Sequence, residues 1–210
     1  QKKPDYTYIN LSNKYLNLIC KIFKYKKIKS KLILINKDKY KFLLKKIVNK
    51  YFNNEGNIEN LSFAYEIAKN LKVNDKTIIN ASNKFKGLPH RQEIVFDNDK
   101  LLCVNDSKAT SFDACTKSLL NYNKIYWILG GKEKFKDYFY IKKFKKKIIK
   151  AYIIGQNPLF FKKQIKKHIP YIVSNNVNSA INSIYNDIKI SDKKKSTILL
   201  SPAAASFDQF

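Results

Sequence analysis

Hydrophobic and polar residues alternate along the second half of the chain in a way that predicts strands and helices in turn. Helical spacing of apolar residues predicts helices at 112–121, 141–149, 159–167 and 177–188. Short apolar runs between them predict strands at 92–96, 101–104, 125–129, 151–154, 171–173 and 197–200. This alternation indicates an α/β fold, a Rossmann-like and mostly parallel sheet with helices on both faces.

The first part of the chain is less regular. Its apolar residues predict a strand at 31–36, a turn at 53–56, and two helices, one at 60–72 and one from behind Asp75 to near Phe85. The face predicted to be buried on the first helix consists of Leu61, Ala64, Ile67, Ala68 and Leu71. Gly87-Leu88-Pro89 is the best linker in the sequence, so we expect two domains, at 1–86 and 87–210.

Composition adds a formal net charge of +26, which raises the possibility of a basic nucleic-acid-binding domain. The lysines are spread over nearly every segment, however, and Arg91 is the only arginine, although arginine is preferred for bidentate phosphate contacts. The abundance of Lys, Asn, Ile and Tyr is also typical of an AT-biased genome. We therefore interpret the charge as background and expect no specific nucleic-acid partner.

Other features of the composition favour a cytoplasmic protein. No apolar run approaches the roughly 20 residues that span a bilayer, so we expect no membrane segment. The cysteines, Cys20, Cys103 and Cys115, show neither metal-ligand spacing nor an even number, which predicts no disulfide and no metal site. The chain opens without Met or a signal peptide, and we expect it to be a fragment.

Polar segments follow three of the predicted strands, where ligands bind in open α/β sheets. They are 105–111, 130–134 and 201–209. Each also has a structural interpretation. Ser111 would cap the following helix, and Gly130-Gly131 would form an ordinary turn. In the third segment, a helix is predicted to begin near Ser206, and the free N–H groups of its first turn would suit an anion.

The linker leads directly into His90 and Arg91. A guanidinium beyond a hinge would reach a phosphate held by the neighbouring domain, although an exposed arginine in an ion pair fits its position equally well. No carboxylate partner for His90 is evident in the sequence, so we interpret it as a linker or packing residue.

Taken in order, four motifs resemble those of the D-glutamate-adding branch of the Mur ligase family. They are Gly87-Leu-Pro-His-Arg91, Asn105-Asp-Ser-Lys-Ala-Thr110, Gly130-Gly131 with Lys134, and Ser201-Pro-Ala-Ala-Ala-Ser-Phe-Asp-Gln-Phe210. The resemblance is clear from about residue 57 to residue 210. It implies that 1–86 is the end of a central ATP-binding domain and that 87–210 is most of a carboxy-terminal domain.

The resemblance also implies an activity in peptidoglycan synthesis. ATP activates the carboxylate of UDP-N-acetylmuramoyl-L-alanine as an acyl phosphate, which the amine of D-glutamate then attacks, with Mg²⁺ held by ligands outside this chain. Arg91 and Lys134 would be the catalytic residues, and the enzyme would act as a monomer. Asn60, Arg91, Asp106 and Lys108 would contact ATP, and Thr110, Lys134 and Ser206 would bind D-glutamate.

Some positions depart from the family pattern. Gly56 stands where histidine is usual, Ser111 where asparagine is usual, and Lys136 is an alternative to Lys134. The phosphate-binding loop G-x-x-x-x-G-K-[ST] is absent, so we expect the 210-residue chain to be inactive alone. A related ligase with another acceptor, and a degenerate relic, remain alternatives.

Overall fold

The computed structural model describes residues 5–132, 138–190 and 195–205 of the chain. The chain divides into two compact units, Gln1–Lys86 (unit 1) and Gly87–Phe210 (unit 2).

Unit 1 combines a small parallel sheet with two packed helices. Its core lies among the segments that follow the second strand, and its buried residues include Ile35, Leu43 and Leu61. Strands β1 and β2 pair in parallel. The elements of unit 1 are β1 (Tyr6–Asn10), α1 (Leu16–Tyr25), β2 (Lys31–Ile35), 3₁₀ segments at Lys37–Lys45 and Lys50–Phe52, α2 (Glu55–Asn70) and α3 (Asp75–Lys84).

Unit 2 is built on a six-stranded sheet in the order β3-β4-β8-β5-β6-β7. Only β3 is antiparallel to its neighbour, and the other pairs are parallel. The elements of unit 2 are β3 (Glu93–Asp97), β4 (Leu101–Asn105), α4 (Phe112–Asn121), β5 (Ile125–Gly130), a 3₁₀ segment at Ile141–Phe144, β6 (Ile148–Ile154), α5 (Pro158–Ile165), β7 (Tyr171–Val173), α6 (Val177–Ile190) and β8 (Ser196–Leu200).

Alternate residues of the central strands enter two different cores, because successive side chains of a strand point to opposite faces. On one face, Trp127 and Leu129 of β5 pack in a cluster with residues of α4 and α5. On the other face, Tyr126 and Ile128 pack in a cluster with residues of α6. Helices therefore cover both faces of a mostly parallel sheet, and the predicted α/β fold class is confirmed.

The helix predicted at 141–149 is wrong. Ile141–Phe144 form a short 3₁₀ segment, and the chain then enters β6 at Ile148. Buried Ile141, Phe144 and Ile148 have helical spacing, which is why the pattern misled. Ile148 instead belongs to the sheet, because it pairs with Ile125 of the central strand β5.

The helix predicted at 60–72 begins earlier and buries a different face. The Asn54 side chain accepts a hydrogen bond from the backbone N–H of Asn57 and caps α2, so Glu55 and Gly56 lie in the helix rather than in the predicted turn. The buried face holds Ile58, Leu61, Ser62 and Tyr65, whereas Ala64, Ile67 and Leu71 of the predicted face are exposed. Starting the predicted helix at residue 60 left out Ile58, which shares a helix face with Leu61, Ser62 and Tyr65 and marks it as the buried one.

Candidate functional site

Three loops meet at one edge of the sheet in unit 2. Strands β4, β8 and β5 are parallel neighbours, so the loops that follow Asn105, Leu200 and Gly130 leave the sheet at the same edge. Loop 201–205 ties the other two together, as Ala203 N donates to Ala109 O at 3.0 Å and Gly130 N donates to Pro202 O at 2.8 Å. The described parts of the three polar segments therefore lie at one edge of the sheet.

Gly130 and Gly131 are required by close packing of the backbone. Their φ angles are +133° and +131°, which residues with a side chain rarely adopt. A Cβ on Gly130 would lie 2.0 Å from the carbonyl oxygen of Ile154, and one on Gly131 would lie 2.7 Å from that of Ala205. The structural interpretation of this pair therefore holds, and the pair also lets the 130–132 loop approach loop 201–205.

Asp106 is a buried carboxylate that joins three elements. Its side chain is 6% exposed. Its Oδ2 accepts hydrogen bonds from Ser118 Oγ of α4 and, at 3.3 Å, from Ser201 Oγ of the loop after β8. Its Oδ1 accepts from the backbone N–H of Gln92 at 3.2 Å. The carboxylate thus fastens the segment after the linker to both α4 and the loop after β8.

Burial and hydrogen bonding act on Asp106 in opposite directions. Burial raises the pKa of the Asp106 carboxyl, while hydrogen bonds from Ser118, Gln92 and Ser201 and the charge of Arg91 oppose this without cancelling it. Burial, with a smaller effect from the Asp106 charge, raises the pKa of Tyr122 to about 12. The donors around Asp106 therefore reduce the upward shift of its pKa that burial causes.

The turn that carries Arg91 is fixed to the loop that carries Lys108. The flanking residues His90 and Gln92 both have left-handed φ angles, of 63° and 48°. The backbone N–H of Lys108 donates to His90 O at 3.0 Å, and Asn105 Nδ2 lies 3.0 Å from His90 Nδ1. The turn therefore belongs structurally to unit 2.

His90 has a carboxylate neighbour that the sequence did not reveal. Glu93 Oε2 accepts from the His90 backbone N–H at 2.9 Å and lies 3.9 Å from His90 Nδ1. The Asn105 Oδ1 atom accepts from Ser107 N at 3.1 Å, so its Nδ2 faces His90, and Nδ1 of the ring acts as the acceptor. Glu93 therefore bonds to the His90 backbone and not to the ring, because a carboxylate oxygen cannot donate to an accepting Nδ1. The interpretation of His90 as a linker or packing residue stays a prediction.

The site residues suggested by the resemblance differ in their placement. Arg91 and Lys108 are exposed at the edge where the loops meet. Thr110 is half-buried and lies in the loop between β4 and α4. Asn60 is exposed on α2 of unit 1. Lys134, its alternative Lys136, and Ser206 lie outside the described residues.

Ser111 and Asn57 form local hydrogen bonds near the starts of α4 and α2. Ser111 caps α4, accepting from Ala114 N at 3.2 Å, as one of its two interpretations predicted. Asn57 is buried, and its side chain donates to Tyr51 O at 2.6 Å. Gly56, which departs from the family pattern, occupies the first turn of α2.

Sequence reasoning missed the buried polar residues behind the site. Ser118 lies on the same face of α4 as Phe112, Cys115 and Leu119, all of which are buried. Trp127 Nε1 donates to Ser201 O at 2.9 Å and so anchors the loop after β8 from below. A serine within an otherwise apolar helix face was the one signal that would have pointed to a buried acceptor.

The described residues hold no group of three His, Cys, Asp or Glu side chains arranged to bind a metal ion. The three cysteines are free thiols. No helix in the described ranges is both long and apolar enough to cross a membrane.

The sequence of the chain is similar to those of curated ligases. The chain is 38% identical over 158 residues to the UDP-N-acetylmuramoylalanine–D-glutamate ligase of Wolbachia sp. subsp. Brugia malayi, covering 75% of this chain and 32% of that protein. It is 33% identical over 154 residues to the ligase of the same name from Rhizobium meliloti, covering 73% of this chain and 33% of that protein. No protein-family model matches the chain.

Solved structures share the fold at low sequence identity. A bifunctional folylpolyglutamate synthase/dihydrofolate synthase from Yersinia pestis, complexed with AMPPNP and a manganese ion, has a TM-score of 0.60 at 11% identity, over 96% of this chain and 52% of that one. A MurF structure from Acinetobacter baumannii has a TM-score of 0.55 at 15% identity, over 70% of this chain and 35% of that one.

The chain spans about a third of the length of the curated relatives it matches. Its similarity to them covers about three quarters of its own residues. By sequence, and with a fold shared by solved Mur ligases, the chain belongs to the UDP-N-acetylmuramoylalanine–D-glutamate ligases of the Mur ligase family, as a segment of such a protein.

Proposed function

We propose that the full-length protein containing this chain is an ATP-dependent ligase that adds D-glutamate to UDP-N-acetylmuramoyl-L-alanine in peptidoglycan synthesis. ATP would activate the carboxylate as an acyl phosphate, and the D-glutamate amine would then attack it. The observation that carries this proposal is the 38% identity over 158 residues to a ligase of that name. We further propose a cytoplasmic monomer that acts on small molecules and has no specific nucleic-acid partner.

The arrangement of charge in unit 2 supports this chemistry. Arg91 and Lys108 are exposed cations on two segments that are hydrogen-bonded to each other. Cations held in fixed positions suit a phosphoryl group, because such reactions depend mainly on positioning and on stabilising the charge that develops. Asp106 beneath them is buried and hydrogen-bonded on both oxygens, so it supports the loops from inside.

We propose the following division of roles. Arg91 and Lys108, in the proposed carboxy-terminal domain 87–210, contact ATP, and Asp106 contributes by holding their two segments from inside. Asn60, in the proposed end of the central domain 1–86, also contacts ATP. Thr110, Lys134 and Ser206 bind the carboxylates of D-glutamate. Magnesium would neutralise the phosphates, and its ligands would come from outside this chain. The ATP-analogue and manganese complex of the Yersinia pestis neighbour is in keeping with both cofactors.

The acceptor amino acid is tested by phosphate release from the purified full-length protein with ATP, Mg²⁺ and UDP-N-acetylmuramoyl-L-alanine. We expect release to require D-glutamate. Release with L-glutamate or a diamino acid in its place would identify a related ligase with another acceptor. An absence of phosphate release with every amino acid tested would support a relic. The 210-residue chain, which lacks the phosphate-binding loop, serves as the inactive control.

The two proposed catalytic residues are tested in the same assay. Arg91→Ala and Lys134→Ala should each lower turnover at least about 100-fold, the scale of losing an orienting or transition-state contact. The matched control is Lys100→Ala, because Lys100 is exposed and precedes β4, at the opposite edge of the sheet. Turnover like that of the control in both variants would refute the assignment.

A further inference from the structure

We infer that Ser118 is a positioning residue, which orients the Asp106 carboxylate and through it the turn that carries Arg91. Its effect on catalysis rests on the proposed ligase function, while its effect on the turn does not. The Ser118 hydroxyl donates to Asp106, which in turn accepts from the backbone beside Arg91.

The first step of the argument concerns the buried face of α4. Ser118 is fully buried there beside Cys115 and Leu119. A hydroxyl in such surroundings needs a partner, because an unpaired polar group away from water is costly. Ser118 donates to Asp106 Oδ2, whereas the helix hydroxyl of Thr116 donates to the carbonyl of Phe112 in its own helix, at 3.1 Å. The Ser118 hydroxyl thus serves another element.

The second step follows from the rigidity of a carboxylate. Once Oδ2 is held by Ser118 and Ser201, the direction of Oδ1 is set as well. Oδ1 accepts from the Gln92 N–H, one residue beyond Arg91. The donor on α4 therefore acts on the position of the Gln92 backbone.

The third step concerns why the turn needs such a hold. His90 and Gln92 both have left-handed φ angles, which is uncommon for residues other than glycine. Such conformations persist only where surrounding contacts impose them. On one side of Arg91, Lys108 N donates to His90 O, and on the other, Gln92 N donates to Asp106 Oδ1. The Gln92 side chain is held separately, because its Oε1 accepts from Asn121 Nδ2 at 2.8 Å. Losing the Asp106 contact would therefore free the backbone N–H of Gln92, while its side chain stays attached to α4.

Another buried serine of unit 2 provides a matched control. The hydroxyl of Ser174, which follows β7, is buried and has no hydrogen-bond partner within the described part of the chain. Ser174→Ala removes the same atom as Ser118→Ala, but it removes no hydrogen bond. Differences between the two variants therefore report the Ser118–Asp106 hydrogen bond.

The test measures amide hydrogen exchange in the full-length protein for wild type, Ser118→Ala, Ser201→Ala and Ser174→Ala. We expect exchange at Gln92 to accelerate about tenfold in Ser118→Ala, the scale of losing one hydrogen bond. The acceleration should be smaller in Ser201→Ala, whose contact is longer, and absent in Ser174→Ala. Amides of β5 and β6 should be unchanged. No change at Gln92, or equal acceleration throughout unit 2, would overturn the inference.

Kinetics separate this inference from the proposed function. In an active ligase, Ser118→Ala should lower kcat/KM for ATP about tenfold, since the hold on Arg91 is lost. The KM for UDP-N-acetylmuramoyl-L-alanine should match that of Ser174→Ala. An inactive wild type would refute the proposed function, and the exchange result would still decide whether Ser118 positions the turn. In an active enzyme, a kcat/KM for ATP equal to that of Ser174→Ala would refute an effect of Ser118 on catalysis through the Arg91 turn.

Discussion

Each unit contains a carboxylate that accepts hydrogen bonds from a tyrosine hydroxyl and a lysine ammonium group, but the two clusters differ in burial. In unit 1, Tyr65 and Lys69 both donate to Asp75 at 2.9 Å. The side chains of Lys69 and Asp75 are 43% and 51% exposed. Solvent therefore screens this ion pair strongly.

The corresponding cluster in unit 2 lies between a strand and a helix. Lys150 and Tyr152 of β6 donate to Asp187 of α6, and the lysine contact is 2.7 Å long. The side chains of Lys150 and Asp187 are only 25% and 29% exposed, and Tyr152 is fully buried. The same chemistry thus joins a helix to a sheet in unit 2, whereas in unit 1 it joins the helices α2 and α3 through a carboxylate that is half-exposed to solvent.

The same difference extends to whole elements. Helix α1 of unit 1 has no buried residue, although its apolar residues share one face, and Leu18 and Ile22 on it are exposed. All six residues of β5 in unit 2 are buried. Because burial of apolar surface is the main source of folding free energy, unit 2 should hold most of the stability of the chain.

The largest expected effect of this difference is on amide hydrogen exchange in the 210-residue chain. Amides of β5 should exchange only by global unfolding, and those of α1 by local opening of small free-energy cost. We expect protection in β5 to exceed that in α1 at least about 1,000-fold. Mass spectrometry of peptides from the two elements measures this. Equal protection would mean that both units unfold together.

A smaller effect distinguishes two glycines. Gly130→Ala should destabilise unit 2 by about 4 kcal/mol, because its Cβ would overlap the Ile154 carbonyl at a left-handed φ angle. Gly56→Ala, in the first turn of α2, should instead stabilise unit 1 slightly, by up to about 1 kcal/mol. Urea unfolding followed by circular dichroism compares the two. A mild effect of Gly130→Ala would contradict the close packing at Ile154.

The smallest effect concerns the two carboxylate clusters. Burial by itself would raise the pKa of Asp187, but hydrogen bonds from Lys150 and Tyr152 outweigh it and hold that pKa below its usual value. Such a group adds stability above its unfolded pKa of about 3.9, and this is lost as the pH falls through the lower folded pKa. Asp187→Asn should therefore cost no more than about 1 kcal/mol near pH 7 after screening by solvent, and less below about pH 4.

The control for this prediction is Asp75→Asn in unit 1. Hydrogen bonds from Lys69 and Tyr65 lower the pKa of Asp75 as well, but the carboxylate is exposed. We expect this variant to unfold at the same urea concentration as wild type. An equal loss of stability in both variants, measured across pH 3–7, would show that burial does not separate the clusters.

Much of unit 2 was predictable from its apolar runs. The strand predicted at 171–173 matches β7, and the strand predicted at 125–129 ends one residue before β5 does. Residue alternation and turn residues act locally, so they identify such elements well. The loops at the carboxyl edge were predictable for the same reason, because each directly follows one of these strands.

Errors occurred where distant contacts override local spacing. Ile148 fits a helical face with Ile141 and Phe144, yet it pairs with Ile125 of β5. The Asp106 network is a second case, since Ser118 and Ser201 reach one carboxylate from positions 12 and 95 residues away along the chain. The apolar face of α4 indicates that Ser118 is buried, but nothing in the neighbouring sequence identifies the carboxylate that it contacts.

By itself, the sequence determined the α/β class of unit 2, the glycine pair after β5 and the resemblance to D-glutamate-adding ligases. These depend on residue type and on spacing within short segments. Tertiary structure alone decided the order in which β8 enters between β4 and β5, the left-handed turn around Arg91, and the burial of Asp106 among its donors. Those features arise from contacts between residues far apart in the chain, whose free energies depend on burial and geometry that local spacing does not specify.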